Sequence, residues 1–152
     1  MIAALTRSHV ADVVWDALAG AEGGPVVVVG DPRLATALSG RGGAVILAGS
    51  ATGAFKRART VLRMVANPMA IPLRPASVAA MVGVGRPEDW NGWLGEWARA
   101  CVDGGVVATI CRGQPQELSR QVLLAGLSAI TQRRVGWTVI TAGVVKRFAI
   151  AD

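Results

Sequence analysis

Four consecutive valines, Val26–Val29, lie between Pro25 and Gly30 and constrain the fold more than any other feature of this chain. A short apolar run bounded by turn-forming residues is typical of a strand that is buried on both faces of a sheet. Strands of this kind occur almost only where helices cover both faces of a parallel sheet. The run therefore favours an α/β fold.

Similar apolar runs alternate along the chain with segments of helical periodicity. Further strands are predicted at 44–47, 61–66, 78–84 and 106–111, and two closing strands form a predicted hairpin around Gly136-Trp137. Helices are predicted at 8–18, with Thr6 or Ser8 as the N-cap, and at 32–39, 89–102 and 115–125, the last with Leu118, Val122 and Leu123 buried. Alternating strands and helices indicate a parallel sheet with right-handed crossovers, built as a single domain over residues 1–152.

Length and composition narrow the class of protein. The 152 residues, 52% of them hydrophobic and 17% charged, suffice for one globular core and exclude a disordered chain. No apolar stretch approaches the roughly 20 residues of a membrane helix, and charged residues interrupt the N-terminal segment, so we expect a cytoplasmic protein. Because the chain has one histidine, His9, and its two cysteines, Cys101 and Cys111, form no CxxC pair, no metal site is predicted.

The net charge of +6 permits contact with nucleic acid or with an acidic protein. The densest basic cluster consists of Lys56, Arg57, Arg59 and Arg63. These side chains either bind phosphate or an acidic partner, or they form a solvated loop and a charged strand edge that discourages unwanted pairing. Two further basic pairs, at 133–134 and 146–147, are expected to lie near each other across the final hairpin.

Trp90, Trp93 and Trp97 are spaced to lie on one face of one predicted helix. One interpretation is an aromatic surface patch that binds a protein partner, because tryptophan is enriched among the residues that dominate interfaces. The other, which the amphipathic pattern favours, is that the rings pack the helix onto the sheet.

Three stretches give the chain a family resemblance. They are IPLRPASVAAMVGVG at 71–85, WARACVDGGVVATI at 97–110 and AGLSAITQRRVGWTVITAGVVKR at 125–147. Together with the valine strand, their order resembles the class I methyltransferases that use S-adenosylmethionine. The resemblance implies a three-layer Rossmann-like fold with a mostly parallel seven-stranded sheet and a C-terminal antiparallel hairpin.

The chain departs from the family pattern where the first strand ends. There the family has an acidic residue followed by alternating glycines that let the backbone approach the cofactor. In this sequence Val28 stands at the acidic position, Gly30 keeps the first glycine, and Pro32 and Leu34 replace the next two. Proline removes an amide donor, and leucine is expected to bring a side chain into the space of the ligand.

Two other family carboxylates are also missing. The second strand reads AVILAGS and lacks the acid that binds the ribose hydroxyls, and Val78 replaces the acid that opens the fourth strand. Asn67 matches the adenine-facing position, and Asp31 either caps the following helix or is the last polar contact of a vestigial pocket. The resemblance therefore leaves Gly30, Asp31 and Asn67 as the residues of a vestigial cofactor site.

These losses predict a pseudoenzyme: a methyltransferase-fold protein that binds no cofactor, has no catalytic residue and acts as a protein-interaction or regulatory module. Its partner-binding residues would be the three tryptophans or the basic segment, within a homo- or hetero-oligomer. One alternative is an active S-adenosylmethionine-dependent methyltransferase with a divergent pocket around Gly30, Asp31 and Asn67. Another is a nucleic-acid-binding module that uses Lys56–Arg63.

Overall fold

The computed structural model describes residues 2–41, 43–50 and 62–146, and their side chains from His9 onward. The described residues form four α-helices and seven strands. The helices are α1 (Ile2–Ala17), α2 (Pro32–Ser39), α3 (Trp90–Ala100, preceded by a 3₁₀ turn at Pro87–Asp89) and α4 (Pro115–Leu124). The strands are β1 (Val26–Val29), β2 (Val45–Gly49), β3 (Leu62–Val65), β4 (Val78–Val84), β5 (Cys101–Cys111), β6 (Leu127–Val135) and β7 (Thr138–Val145).

The seven strands form one sheet in the order β3-β2-β1-β4-β5-β7-β6. Strands β1 to β5 are parallel, whereas β7 runs antiparallel to both β5 and β6. Helices α1 and α2 pack on one face of the sheet around Val14 and Leu38, and α3 and α4 pack on the other face around Trp97 and Leu118. The predicted three-layer α/β architecture with its antiparallel hairpin is confirmed.

Strand β1 lies inside the sheet. All of its side chains are apolar, and a position between two other strands buries them. Val27 and Val28 are fully buried and Val29 nearly so, with β2 and β4 as neighbours on the two sides. Strand β4 matches its predicted range of 78–84, and the described part of the predicted third strand is β3. Residue 61, the predicted start of that strand, lies outside the described residues.

Several predicted boundaries are wrong. Helix α1 begins at Ile2, so neither Thr6 nor Ser8 is its N-cap, since the good helix formers at 3–5 extend the helix beyond them. Helix α3 ends at Ala100, two residues earlier than predicted, and Cys101 already pairs with β4. Leu123 was predicted to be buried but is 62% exposed, because α4 faces the sheet with Leu118 and Val122.

The closing hairpin turns at Gly136-Trp137, as predicted, with Val135 paired to Thr138. Its register separates the two basic pairs that were expected to be close together. Arg134 pairs with Val139, seven residues before Lys146, and at about 3.4 Å per residue the two basic side chains start about 24 Å apart. That expectation is wrong for Lys146, which lies at the opposite end of the hairpin from Arg134, and residue 147 lies outside the described residues. Among the described helices, none is long and apolar enough to cross a membrane.

Candidate functional site

The point where the strand order reverses lies between β1 and β4, and open α/β sheets bind ligands at the carboxyl ends of strands there. Gly30 directly follows β1, and its amide donates to the carbonyl of Ala48 at 2.8 Å. Its φ is +76°, a conformation that favours glycine, and no atom lies within 4 Å of the position that a Cβ would take. Gly30 thus leaves open space beside the backbone at this edge of the sheet.

Asp31 caps helix α2. Its Oδ1 accepts hydrogen bonds from the amides of Arg33 and Leu34, each at 3.1 Å, and Pro32 at the first helical position has no amide to donate. The capping interpretation is therefore confirmed. These are the amides that an anionic ligand group at this helix N-terminus would use, and the chain's own carboxylate already occupies them.

The other two departures from the family pattern in the stretch from the valine strand to α2, Val28 and Leu34, are both buried. Val28, at the family's acidic position, is 0% exposed and pairs with Leu47 and Val82. Leu34 is 6% exposed and lies in the core beside Leu38. The prediction that Leu34 obstructs the ligand space is wrong, because α2 directs this side chain toward the sheet.

Asn67 lies just after β3, at the same edge of the sheet as Gly30 and Asp31. Because β2 intervenes, the ends of β1 and β3 lie about 10 Å apart. The Asn67 Oδ1 accepts from the amide of Met69 at 2.9 Å, and its carbonyl accepts from Ala70 at 2.9 Å. The side chains of Asp31 and Asn67 are thus at one edge, but each is hydrogen bonded to its own turn.

The tryptophans of α3 form a cluster against the sheet. Trp90 and Trp97 are 1% and 0% exposed, with ring centroids 5.8 Å apart, and the half-buried Trp93 stacks on Trp97 at 5.8 Å. The partner-binding interpretation is wrong for Trp90 and Trp97, since buried rings cannot form a surface patch. The favoured interpretation, packing onto the sheet, is confirmed for these two.

Two glycines leave space for these rings. Gly83 lies in β4, and Gly85 directly follows the strand. A Cβ at Gly85 would lie 2.9 Å from both Trp90 and Trp93, and a Cβ at Gly83 would overlap Trp97. The rings therefore lie directly against the strand backbone. The alternating glycines of MVGVG are the sequence signal for this close approach.

A polar clamp holds the segment between β3 and β4 against α3. The Trp97 Nε1 donates to the carbonyl of Pro68 at 3.0 Å, and the Glu96 Oε1 accepts from the amide of Ile71 at 3.1 Å. The Arg99 guanidinium donates to the carbonyls of Leu73 and Ile71 and to Glu96. The sequence alone does not indicate this clamp, because Glu96 and Arg99 at i and i+3 have the same spacing as a solvated helical ion pair.

The clamp shifts the pKa values of both of its charged groups, Glu96 and Arg99. The hydrogen bond from Arg99 lowers the pKa of Glu96 below its usual range, although partial burial opposes this effect. The same hydrogen bond raises the pKa of Arg99. Both groups are therefore held in their charged forms.

Cys111 ends β5 at the same edge of the sheet. It is buried, its Sγ accepts from the Trp90 Nε1 at 3.4 Å, and burial raises the pKa of its thiol despite that hydrogen bond. A neutral buried thiol is a poor nucleophile, so Cys111 acts as a packing residue at this edge.

The basic cluster is only partly described. Lys56, Arg57 and Arg59 lie outside the described residues, whereas Arg63 is exposed on β3, the edge strand of the sheet. The neighbouring Leu62 and Val65 are 73% and 65% exposed.

A groove of about 510 Å³ lies between α3 and α4, on the side of the sheet opposite α2. Residues from both helices line it, including Asn91, Arg120 and Leu124. The Gln121 Nε2 donates to the carbonyl of Pro87 at 3.1 Å, while its buried Oε1 accepts no hydrogen bond. No sequence pattern indicated this groove, since its residues come from two helices that meet only in the fold.

Comparison with known proteins supports the fold. No protein-family model matches the sequence, and no curated protein does. Among solved structures, a SAM-dependent methyltransferase of Thermotoga maritima is similar with a TM-score of 0.74 and 15% identity, over 95% of this chain and 89% of that chain. Geranyl diphosphate C-methyltransferase from Streptomyces coelicolor has a TM-score of 0.68 and 17% identity, over 91% and 79%.

A third similar chain comes from the complex between the Haloferax volcanii Trm112 methyltransferase activator and a methyltransferase. Its TM-score is 0.68 with 15% identity, over 88% of this chain and 89% of that chain. At these identities the similarity establishes the fold. The chain has the fold of the class I S-adenosylmethionine-dependent methyltransferases.

Proposed function

We propose that this chain is a cytoplasmic, non-catalytic protein of methyltransferase fold that acts as a protein-interaction or regulatory module. The observation that carries the proposal is the Asp31 carboxylate on the first amides of α2. A cofactor at this edge would have to displace that cap, and the Pro32 position could offer it no amide in exchange.

The missing carboxylates support the same conclusion. Leaving a buried polar group without its hydrogen-bonding partner costs about 1–3 kcal/mol of binding free energy. An adenosyl cofactor whose ribose hydroxyls meet Gly49 and Ser50 instead of an acid would therefore bind weakly. The replacement of an acid by Val28 lies on a different strand, and effects at separate sites add approximately. Together the losses correspond to an affinity reduced by several orders of magnitude.

The interaction half of the proposal is supported by exposed apolar side chains. Leu123 and Leu124 on α4 are 62% and 71% exposed, and Leu62 and Val65 on the edge strand are similarly open. Clustered exposed apolar groups are typical of surfaces that contact other proteins. The similar Haloferax volcanii chain was solved as a complex with an activator protein, so a protein of this fold can have a protein partner.

The cofactor half is tested by calorimetric titration of the folded protein with S-adenosylmethionine and S-adenosylhomocysteine. We expect no binding heat at high ligand concentration, either from the wild type or from Asp31→Ala, which frees the two capped amides but restores no carboxylate. Circular dichroism on the same samples ensures that both proteins are folded. Micromolar binding by the wild type would contradict the proposal.

The interaction half is tested by sedimentation velocity over a concentration series, alone and with candidate partners. Leu124→Glu and Leu62→Glu place the same charge on the two exposed apolar regions, so each serves as the control for the other. We expect one of them to abolish an assembly that the wild type forms. An assembly state that neither variant changes would argue against both surfaces.

One observation favours a second candidate, an active methyltransferase with a divergent pocket. Gly30 keeps the left-handed backbone and the open space of a cradle glycine. In that case Asp31 and Asn67 would line the site, and Asp31→Ala would weaken cofactor binding instead of leaving it absent. The same titration therefore distinguishes the two candidates.

A further inference from the structure

We propose that the carboxyl edge formed by β4, β5 and the β6–β7 hairpin binds single-stranded nucleic acid. Trp137 would stack on a base, and three arginines would contact phosphates. These arginines are Arg86, Arg112 and Arg134. This surface adjoins the β1–α2 cradle along β4 but consists of different residues, and the proposal does not depend on whether an adenosyl cofactor binds at the cradle.

Trp137 is the first element of this surface. It is 77% exposed, in contrast to the buried Trp90 and Trp97. It occupies the second position of a two-residue hairpin loop, after Gly136 with φ of +59°, which is the pattern of a type II′ turn. Such a tight loop leaves the backbone little freedom, so the exposed indole is presented at a fixed place at the tip of the hairpin.

Arg86 and Arg112 lie beside each other at the ends of adjacent strands. Val84 and Ile110 are paired in register, and two residues further along each chain are Arg86 and Arg112. Adjacent strands are about 4.8 Å apart, so the two backbones leave the sheet close together. Both side chains are exposed.

The β6–β7 hairpin contributes the other two residues of the surface, Arg134 and Trp137. Cys111 pairs with Val139 of β7, and Arg134 pairs with the same residue from the other side. Trp137 is therefore the neighbour of both Arg112 and Arg134 at this edge. With about 4.8 Å between strands, the row from β4 to β6 spans about 15 Å.

Arg134 of β6 lies on the face of the sheet that α3 and α4 cover. Arg134 and Gln132 are two residues apart on the strand and thus share a face, and the Gln132 Nε2 donates to the carbonyl of Pro115 at 2.6 Å. This hydrogen bond holds the first residue of α4 against that face, and the loop that contains Arg112 leads directly into it. Arg133 points to the opposite face, since it pairs with Ile140 of the α1–α2 core.

The charges of this row are available to a ligand. The side chains of Arg112 and Arg134 form no ion pair or hydrogen bond with any other residue that the structure describes. Arg86 has one ion pair, to Glu88 at 3.8 Å, with side chains 82% and 67% exposed. Such an exposed pair is worth little, so an incoming phosphate competes with it easily.

The indole distinguishes nucleic acid from other polyanions. Every base offers an aromatic face, and stacking on an aromatic side chain stabilises binding without regard to sequence. An acidic peptide or polyphosphate would neutralise the arginines, but its anionic groups have no aromatic face to stack on the exposed ring. A surface with both features therefore fits a single strand, whose bases are not already stacked in a duplex.

The experiment is fluorescence anisotropy with labelled oligothymidine of about twelve nucleotides, long enough to cover the row. We expect binding by the wild type that falls steeply with salt, as phosphate contacts require. Trp137→Ala should weaken binding about tenfold, and Trp137→Phe should restore most of it. Arg112→Gln and Arg134→Gln should each reduce the slope of log affinity against log salt by about 0.7.

Arg133→Gln is the matched control, because it removes the same charge from the adjacent residue on the other face. We expect it to bind like the wild type. The proposal is overturned if the wild type does not bind at low salt, if Trp137→Ala binds as tightly as the wild type, or if Arg133→Gln weakens binding as much as Arg134→Gln. Polyphosphate that competes as well as oligothymidine would likewise identify a general polyanion surface and overturn the proposal.

Discussion

The flank of the sheet under α3 and the flank at β3 use their apolar side chains in opposite ways. Under α3, Trp90 and Trp97 are 1% and 0% exposed and lie against the backbone of β4. At the other flank, Leu62 and Val65 of the edge strand are 73% and 65% exposed. The first flank is a packed core, whereas the second leaves its apolar groups at the surface.

The two flanks differ in how closely their residues fit against each other. The packed flank has matched small and large residues, with Gly83 opposite Trp97. Between the flanks, at the end of β1, Gly30 keeps a backbone conformation suited to a ligand while Asp31 satisfies the helix amides itself. The packed flank thus fits its residues closely together, whereas at the end of β1 the helix amides bind the chain's own carboxylate.

The largest effect should come from deleting one of the buried rings. Trp97→Ala removes a fully buried indole and its hydrogen bond to the Pro68 carbonyl, so we expect the free energy of unfolding to fall by about 4 kcal/mol. Leu62→Ala at the open flank should change it by no more than about 0.5 kcal/mol. Urea denaturation followed by circular dichroism measures both. Similar losses for the two variants would contradict the contrast between the flanks.

A smaller effect should come from adding one methyl group. Gly83→Ala would place a Cβ in overlap with Trp97, and we expect a loss of about 2–3 kcal/mol because the ring and the strand must both shift. Gly95→Ala is the matched control, since it lies within α3 at an exposed position with no atom within 4 Å of its Cβ. There the same change should stabilise the protein by about 0.5–1 kcal/mol. If Gly83→Ala were also stabilising, the close packing of the ring against β4 would be disproved.

The sequence predicts the packed flank well for a physical reason. Apolar runs such as 26–29 and 78–84 are buried on both faces, so their composition alone identifies them as strands. The 3.6-residue spacing of Trp90, Trp93 and Trp97 likewise predicts a helix that packs on the sheet. The number of strands and the antiparallel hairpin came from the family resemblance, and the order of the strands came from the structure, because pairing between distant segments leaves no local pattern.

The details at the edges of the sheet could not be predicted in the same way. Leu34 and Leu123 are both leucines on short helices, yet one is buried and the other exposed, because the rotation of each helix depends on what it packs against. The clamp of Glu96 and Arg99 joins α3 to carbonyls about 25 residues away, and only the fold brings these groups together. The arrangement of Arg112, Arg134 and Trp137 depends on the hairpin register in the same way.

The smallest effect concerns the clamp that attaches the segment after β3 to the packed flank. Glu96→Gln should lower the free energy of unfolding by about 1 kcal/mol at neutral pH, because the charged hydrogen bond to Arg99 is lost. The pKa of Glu96 is lowered in the folded protein, so its contribution is complete above the ordinary glutamate pKa of about 4.3 and is lost as the pH falls through the folded value. The difference between wild type and variant should therefore shrink in acid.

Urea denaturation over a pH series measures this difference, with Asp12→Asn as the control. Asp12 forms an ion pair with Arg41 in which the two side chains are 54% and 31% exposed, so its loss should cost no more than about 0.5 kcal/mol. A Glu96→Gln effect that stays constant from neutral to acidic pH would mean that the side chain acts through packing and not through its charge. The segment between β3 and β4 would then be held by the Trp97 hydrogen bond and apolar contacts alone, and the two flanks would be joined without an electrostatic clamp.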